Sequence, residues 1–406
     1  MLLYASSLLR PGREPLLEPA LWIQGDLLRH VGPRSDLPAA ARESSILDLS
    51  GHVLSPGLVN AHCHLELTAL EDIPYPGDFV AWIAAVLEAK SKLDFAAQCA
   101  SLREGIRRSL QGGATTVGDH LSANAALEIL LDAPLRGKAF VEVLGVVPEI
   151  AATLWQAAAG LRQEYSSSRM EIIPSPHSVH ALDPEVLEKV LKQDLSVFSI
   201  HLAESEAEYA YFATHSGPLQ DFIAGRGQAR RRSQPSSIAE LNAKGLLSGK
   251  ILAVHGNYLS EAEINQLAQK QISLVHCPLS HRYFSHRRFP LESVRRHGLN
   301  LALGTDSLAS AGSLSMLEVL RAMREEFPEL SPEEIFYMAT LGGAKALKLE
   351  NQIGELVPGK KADLIAVPQG QGEEPLAALL KAEAVSWGMV EGNAVDLEWN
   401  QPSRRS

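Results

Sequence analysis

The hydrophobic rhythm of the chain changes twice, near residue 54 and again near residue 345. Residues 1–53 carry short apolar runs separated by turn residues, as in "LWIQGDLLRHVGP", a pattern typical of strands and tight turns. Between residues 54 and 344 short β-rich runs alternate with longer helical patterns, which predicts repeated β-α units and a parallel sheet. Residues 345–406 return to strand and turn patterns, so we expect the two ends to pair into one small β domain.

Eight short runs in the central region are candidates for the parallel strands. They are "HVLSPGLVNAH", "ATTVGDH", "KAFVEVLGVV", "MEIIPSPH", "FSIHLAE", "KILAVHG", "ISLVHCP" and "LALGTDS". Helix signals lie between them: an N-cap before proline at Asp183–Pro184, capping boxes at Ser260–Glu263 and Ser331–Glu334, and a glycine pair at Gly112–Gly113. Eight β-α units within roughly 290 residues predict a (β/α)8 barrel.

The stretch "NAHCHLEL" ends the first of these runs and carries the first chemical signal. Residues two apart on a strand share a face, so His62 and His64 point the same way and Cys63 points the other way. This spacing suits two ligands of one metal ion, although two core histidines could fall at it by chance.

Polar residues also mark the ends of most other predicted strands, where a (β/α)8 barrel places its active site. These residues are Asp119, His120, His177, His201, His255, His276 and Asp306. Core packing explains so many buried polar groups poorly, because each one needs a partner or costs free energy. We predict that one divalent metal, zinc or alternatively iron, is bound by His62, His64, His201 and Asp306.

Other polar residues near the same rim suit the remaining roles of a metal hydrolase. Glu204 follows His201 by three residues and is predicted to act as general acid and base without binding the metal. His255 is predicted to orient the attacking water, and His177 and Glu66 are predicted to face the substrate.

Composition narrows the classes of partner. A net charge of −11 argues against a nucleic acid, and no apolar run approaches the roughly 18 residues of a membrane span. Three cysteines and the absence of a signal-peptide pattern predict a cytoplasmic protein. The predicted partner is a small-molecule substrate, and a homodimer is possible. The stretch 216–237, which includes the basic cluster Arg230–Arg232, is interpreted as an irregular excursion or a lid.

Six stretches resemble the amidohydrolase superfamily, in the branch of nucleobase and nucleoside deaminases and chlorohydrolases. They are "PGLVNAHCHLE", "HLAESEAE", "LAVHGNYLS", "HCPLSH", "LGTDSLAS" and "GELVPGKKADLIAV", in the order of the family. The resemblance implies a distorted barrel, a β-sandwich built from both chain ends, and the same ligand roles for His62, His64, His201 and Asp306. It also implies a single metal, because "SPHSVH" lacks the lysine that bridges two ions in other members.

Two features bear on the substrate. The family commonly has asparagine where this chain has His281, a position that tends to lie near the substrate, so His281 is a candidate substrate contact. The pattern "HCPLSHRYFSHRRFPLE" resembles a bacterial subgroup linked to aminodeoxyfutalosine deamination in menaquinone synthesis. Arg282 could pair with a carboxylate of such a substrate, or simply extend into solvent.

The predicted function is hydrolytic deamination of an adenine-type nucleoside, with aminodeoxyfutalosine as the first candidate substrate. S-adenosylhomocysteine, methylthioadenosine and guanine are alternative substrates. Two alternative hypotheses keep a hydrolase but assign another reaction, either the dechlorination of a triazine or the hydrolysis of a cyclic amide. A non-catalytic scaffold is disfavoured because the ligand set and Glu204 are all present.

Overall fold

A computed structural model describes residues 1–122, 126–165, 167–227 and 233–399 of the chain. Arg230–Arg232 lie outside the described residues, as does part of the stretch 216–237. Within the described part of that stretch, residues Pro218–Ala224 form a short helix. Among the described residues, no helix combines the length and the apolar character that crossing a bilayer requires.

The described residues contain sixteen strands, which are numbered in chain order. They are β1 Leu2–Arg10, β2 Arg13–Leu17, β3 Pro19–Gln24, β4 Leu27–Pro33, β5 Ile46–Pro56, β6 Leu58–Cys63, β7 Ala114–Leu121, β8 Arg136–Val143, β9 Met170–Pro176, β10 Phe198–Leu202, β11 Ile251–His255, β12 Ser273–His276, β13 Leu301–Leu303, β14 Leu364–Pro368, β15 Trp387–Val390 and β16 Asn393–Ala394.

The α-helices are numbered in the same way. They are α1 Phe79–Ser91, α2 Phe95–Gln111, α3 Leu127–Asp132, α4 Pro148–Glu164, α5 Pro184–Leu191, α6 Glu206–Thr214, α7 Pro218–Ala224, α8 Ser237–Ala243, α9 Glu261–Gln269, α10 Pro278–Tyr283, α11 Leu291–Arg296, α12 Leu308–Ala311, α13 Met316–Glu326, α14 Pro332–Tyr337, α15 Gly343–Ala346 and α16 Pro375–Lys381. Short 3₁₀ turns cover Arg34–Asp36, Ala39–Ala41 and Leu65–Leu70, and a π-helical turn covers Met338–Gly342.

Each of the eight predicted runs overlaps one strand of the series β6 to β13, and the first run also covers the end of β5. The strands form two four-stranded sheets in chain order, β6-β7-β8-β9 and β10-β11-β12-β13. Isolated parallel bridges join the sheets on both sides, between Ser178 and His201 and between Cys63 and Asp306. Nearly every residue of these strands is buried, which is typical of parallel strands covered by helices.

The local helix signals are confirmed. The Asp183 side chain accepts hydrogen bonds from the first turn of α5, and Pro184 is the first residue of that helix. Complete capping boxes open α9 and α14, at Ser260 and Ser331. Gly112 ends α2, and Gly113 follows with a φ of +89°, a left-handed conformation that favours glycine.

Strands from both ends of the chain lie in one eight-stranded sheet. Its order is β16-β15-β14-β5-β1-β3-β4, and β2 pairs with β1. Strand β5 pairs in parallel with β1 and antiparallel with β14, so it joins the N-terminal and C-terminal strands. β5 ends at Pro56, beyond the predicted boundary at residue 53. The division into residues 1–53, 54–344 and 345–406 stays a prediction.

A buried ion pair connects this terminal sheet to the parallel strands. Arg136, the first residue of β8, is 1% exposed and donates from Nε to Asp363 Oδ2 at 2.6 Å. Its Nη2 also donates to Glu391 Oε1 at 3.2 Å. Asp363 immediately precedes β14 and also accepts the backbone N–H of Glu391. The positive charge of the buried guanidinium is therefore compensated by two carboxylates from residues that flank β14 and β15.

We expect Asp363→Ala to destabilise the fold by about 3 kcal/mol, because it leaves the Arg136 charge buried with one partner instead of two. Urea unfolding midpoints and slopes measure the change. The control is Asp194→Ala, which removes an exposed partner of Lys250 and should leave the midpoint almost unchanged. Equal midpoints for the two variants would contradict the role given to Asp363.

Candidate metal centre and active site

The residues predicted to bind metal come from the ends of three strands. His62 lies in β6 and His64 just beyond its end, while His201 lies in β10. Asp306 follows β13, and its backbone N–H donates to the carbonyl of His62 at 3.0 Å. This backbone contact places the end of the last parallel strand beside the first one, and so brings Asp306 to the two histidines of β6.

Side-chain distances show that the four residues converge. The Nε2 atoms of His64 and His201 are 3.4 Å apart. Asp306 Oδ1 is 3.6 Å from His62 Nε2 and 3.8 Å from His64 Nε2. Two nitrogens that are each about 2.1 Å from one tetrahedral zinc ion are roughly 3.4 Å apart, so these spacings suit a shared ion.

Hydrogen bonding supports the fit to a metal. His62 is fully buried, and neither of its ring nitrogens has a hydrogen-bond partner among the described residues. His201 Nδ1 donates to the carbonyl of His177 at 2.8 Å, which leaves the Nε2 lone pair free to face His64. Metal-bound histidines typically make such an outer hydrogen bond. Burial holds the pKa of His64 and of His201 well below the usual value, which favours the neutral, metal-binding form.

Asp306 is held as an ionised carboxylate. Burial alone would raise its pKa, but the close imidazole of His62, 3.6 Å from Oδ1, together with the neighbouring histidines, holds the pKa far below its usual range. Ser280 Oγ donates to Oδ2 at 2.6 Å, Ser310 Oγ donates to Oδ2 at 3.0 Å, and the Ser307 N–H donates to Oδ1 at 2.7 Å. Asp306 also has a φ of +66°, a strained conformation for a residue with a side chain.

Glu204 and His255 lie next to Asp306. Ligand atoms of the three residues lie within 4.8 Å of one another, and His255 Nε2 is 3.5 Å from Glu204 Oε1. Burial, together with the negative charges of Asp306 and Glu208, raises the pKa of Glu204 well above its usual value. Burial lowers the pKa of His255 to about 3, so its ring is neutral. The surroundings therefore favour the protonated form of Glu204 and the ionised form of Asp306.

His177 lies beside this centre and is oriented by a carboxylate. Its ring centroid is 4.4 Å from that of His201, and its side chain is 34% exposed. His177 Nδ1 is 2.6 Å from Glu142 Oε1, and His120 Nδ1 is 3.2 Å from the same oxygen. Burial opposes charge on His177, but Glu142 outweighs it and raises the pKa.

The other two predicted substrate contacts have partners within the protein. Glu66 is buried, forms an ion pair with Lys90, and accepts a hydrogen bond from Ser122 Oγ at 2.6 Å. His281 is also buried, and it contacts Glu326 and the carbonyl of Arg287. The substrate roles of Glu66, His177 and His281 stay predictions.

Arg282 makes a surface contact. Its Nη2 is 3.1 Å from Glu325 Oε2, and its side chain is 53% exposed. Of the two interpretations of this residue, the structure agrees with extension toward solvent.

Sequence reasoning missed the residues that support the site. Ser280 and Ser310 orient Asp306, and Glu142 orients His177 and His120. Ser280 and Ser310 lie in the quoted stretches "HCPLSH" and "LGTDSLAS", so hydroxyls close to the predicted site residues were an available signal. Glu142 lies near the end of β8, and the signal that the sequence offered there was a carboxylate within a predicted strand.

Comparisons with known proteins agree with the motifs. The sequence pattern of the amidohydrolase family matches residues 53–395. A 5-methylthioadenosine/S-adenosylhomocysteine deaminase of Moorella thermoacetica is 29% identical over 364 residues, which is 86% of this chain and 81% of that protein. An aminodeoxyfutalosine deaminase of Nitratiruptor sp. is 30% identical over 333 residues, covering 78% of this chain and 80% of that protein.

Solved structures show the same fold. The aminofutalosine deaminase of Helicobacter pylori, in complex with methylthio-coformycin, aligns with a TM-score of 0.85 and 22% identity over 97% of this chain and all of that one. An adenosine deaminase of Xanthomonas campestris with bound zinc aligns with a TM-score of 0.83 and 24% identity, over 99% of this chain and 94% of that one. The resemblance inferred from the motifs is confirmed, and the chain belongs to the amidohydrolase family.

Proposed function

We propose that this protein is a metal-dependent hydrolase that deaminates an adenine-type nucleoside and releases ammonia. The observation that carries the proposal is that Glu204 and Asp306 lie within 4.8 Å of each other beside three converging imidazoles, in surroundings that raise the pKa of Glu204 and lower the pKa of Asp306. Two neighbouring carboxyl groups whose surroundings shift their pKa values in opposite directions are typical of an acid and a base with separate roles. The similarity to deaminases of adenine-type compounds supports the same reaction class.

The proposal includes the architecture that the site needs. The two parallel sheets form one (β/α)8 barrel, closed through the bridges at Ser178 and Cys63, and the terminal strands form a β-sandwich beside it. Barrels of this kind place their catalytic residues at the carboxyl ends of the strands, which is where His62, His201 and His255 lie.

One divalent metal, zinc rather than iron, is proposed at His62, His64, His201 and Asp306. Bound there, such an ion would supply Lewis-acid chemistry, which would make water a competent nucleophile at neutral pH. The stretch at the end of β9, "SPHSVH", offers no lysine to bridge a second ion at this centre.

The residues of the chain then divide the proton transfers. Glu204 gives its proton to the ring nitrogen beside the amine-bearing carbon, which makes that carbon a better electrophile. Asp306 accepts a proton from the attacking water, and His255 holds that water in line. The carbon becomes tetrahedral and carries both the new hydroxyl and the amine. Asp306 then passes its proton to the amine, ammonia leaves, and the hydroxyl proton returns to Glu204, so both carboxyls regain their starting states.

Substrate identity is the finer part of the proposal. We favour aminodeoxyfutalosine, and with it a role in menaquinone synthesis, over methylthioadenosine or S-adenosylhomocysteine. His177 and Glu66 are proposed to contact this substrate. Relatives of both kinds are similar to the chain at nearly the same identity, 30% and 29%, so the choice depends on direct measurement. The free and buried cysteines agree with a reducing compartment such as the cytoplasm.

Glu204→Gln should reduce turnover by roughly 10²-fold or more, because the amide cannot shuttle the proton, while the metal stays bound. Steady-state ammonia release and elemental analysis of the same preparation measure the two effects. Glu206→Gln, the same change two residues away on the exposed start of α6, is the matched control and should turn over normally. Near-normal turnover of Glu204→Gln would end the assignment.

His201→Ala should lose the catalytic metal as well as activity, because it removes one of the three imidazole ligands. After growth with zinc and exhaustive dialysis, we expect one tightly held ion per wild-type chain and none in this variant. His297→Ala, whose Nδ1 contacts only its own helix at Ser293, is the control and should keep the ion. Two tightly held ions in the wild type, or none, would contradict the single-metal centre.

A substrate panel assayed by ammonia release tests the substrate. Aminodeoxyfutalosine should turn over with a kcat/KM above about 10⁴ M⁻¹s⁻¹, an ordinary enzyme efficiency. If it is inert while methylthioadenosine or guanine reacts, the preferred substrate is wrong and the deaminase assignment survives. If only a cyclic amide or a chlorotriazine is hydrolysed, the deaminase assignment fails too.

A further inference from the structure

A second cluster of metal-binding residue types lies at the end of β12, outside the centre described above. It consists of His276 at the end of β12, His281 in α10 and Glu326 at the end of α13. Ligand atoms of the three residues lie within 4.8 Å of one another. The proposed reaction uses neither His276 nor Glu326.

His276 is the least satisfied member of this cluster. It is fully buried, and neither of its ring nitrogens has a hydrogen-bond partner within the described ranges. Its ring stacks on Phe289, with centroids 4.1 Å apart, and meets the His281 ring edge-on at 5.2 Å. An imidazole buried in this way without a partner costs free energy, which a ligand at its nitrogen would recover.

His281 and Glu326 present two hydrogen-bond acceptors to each other. His281 Nε2 donates to the carbonyl of Arg287 at 2.8 Å, so Nδ1 is the nitrogen that carries the lone pair. That Nδ1 is 3.4 Å from Glu326 Oε1. A lone pair and a carboxylate oxygen repel each other unless a proton or a cation lies between them.

The surroundings leave Glu326 short of positive charge. Arg282 and Arg288, the nearby cations, are already paired with Glu325 and Glu329, each at 3.1 Å. Burial accordingly raises the pKa of Glu326 to about 7, although both arginines lower it. A cation bound between the side chains would compensate this carboxylate and the lone pairs of both histidines together.

We propose that His276, His281 and Glu326 form a second cation site, suited to a borderline transition-metal ion such as Zn²⁺. Two imidazole nitrogens and one carboxylate oxygen are a ligand set that zinc accepts. The bond from His281 to a backbone carbonyl is the outer contact that orients a metal-bound histidine.

A route to this site is present. A cavity of about 300 Å³ adjoins His281 and Glu326, and it is also lined by Arg282, Ser285, His286 and Glu325. It is large enough for an ion to enter with water, and a water could complete the coordination. The site supplies three protein ligands and has to displace a proton from Glu326 near neutral pH. It therefore binds its ion more weakly than the catalytic centre does.

The same helix connects this site to the catalytic centre. Ser280, which donates to Asp306, precedes His281 in α10. An ion that ties α10 to the end of α13 restrains the segment that positions the Asp306 carboxylate. The inference does not depend on which substrate the enzyme uses.

Zinc uptake by the holoenzyme tests the second site. Dialysed protein carrying one ion is equilibrated with micromolar zinc, and bound metal is counted by elemental analysis. We expect the wild type to bind a second ion. In Glu326→Gln the affinity for this ion should fall at least about 100-fold, because a direct ligand is lost and even an outer-shell partner is worth 10- to 100-fold in affinity. The glutamine amide can still donate to His281 Nδ1, so the fold should be kept. Thermal unfolding should show extra stabilisation by excess zinc in the wild type only.

Glu325→Gln is the matched control, because it makes the same charge change one residue away on an exposed carboxylate. It should bind two ions. If Glu326→Gln folds poorly, His281→Asn serves as a second variant, and it is also expected to lose the second ion. One ion in the wild type at saturating zinc would overturn the proposal. Uptake of a second ion by both Glu326→Gln and His281→Asn would also overturn it, since that ion would be bound elsewhere.

Discussion

The contact between the backbone of Asp306 and the carbonyl of His62 is the constraint on which the site depends. This 3.0 Å hydrogen bond joins residues that are 244 positions apart in the sequence, and it brings the last parallel strand beside the first. Asp306 takes a positive φ there, a strain of order 1–3 kcal/mol that the surrounding structure has to outweigh. Without this contact the carboxylate would not reach the imidazoles of His62 and His64.

Electrostatics then separate two carboxylates that lie close together. Asp306 is surrounded by imidazoles and by serine hydroxyls, and these favour its ionised form. Glu204 is buried, has the neutral ring of His255 at 3.5 Å, and feels the charge of Asp306, and these surroundings favour its protonated form. Both side chains end in a carboxyl group, which can serve as base or acid. The proposed roles follow from the different surroundings of the two groups.

Helix α10 extends this arrangement to the second cluster. Adjacent residues, Ser280 and His281, contact the catalytic carboxylate and Glu326 respectively. In the proposed two-site arrangement, one short helix carries both a support of the catalytic centre and a ligand of the weaker ion. A change in the occupancy of one cluster can thus reach the other through a single turn of helix.

The sequence by itself determined the features that depend on local patterns. The eight apolar runs, the caps at Asp183, Ser260 and Ser331, and the pairing of His62 with His64 all follow from spacing within a few residues. The candidate ligands were predictable because strand ends of parallel β-α units face one side, so polar residues at those ends have to meet.

Only the tertiary structure decided which partners the polar groups take. The hydrogen bond from Ser280 to Asp306, the Glu142 carboxylate shared by His120 and His177, and the contact of His281 with Glu326 each join different elements. The sequence predicted His281 as a substrate contact, and only the folded chain showed that its nitrogens lie near the Arg287 carbonyl and Glu326. Such contacts depend on distances of a few ångströms between segments that are remote in the chain, and no periodicity of hydrophobic and polar residues encodes those distances.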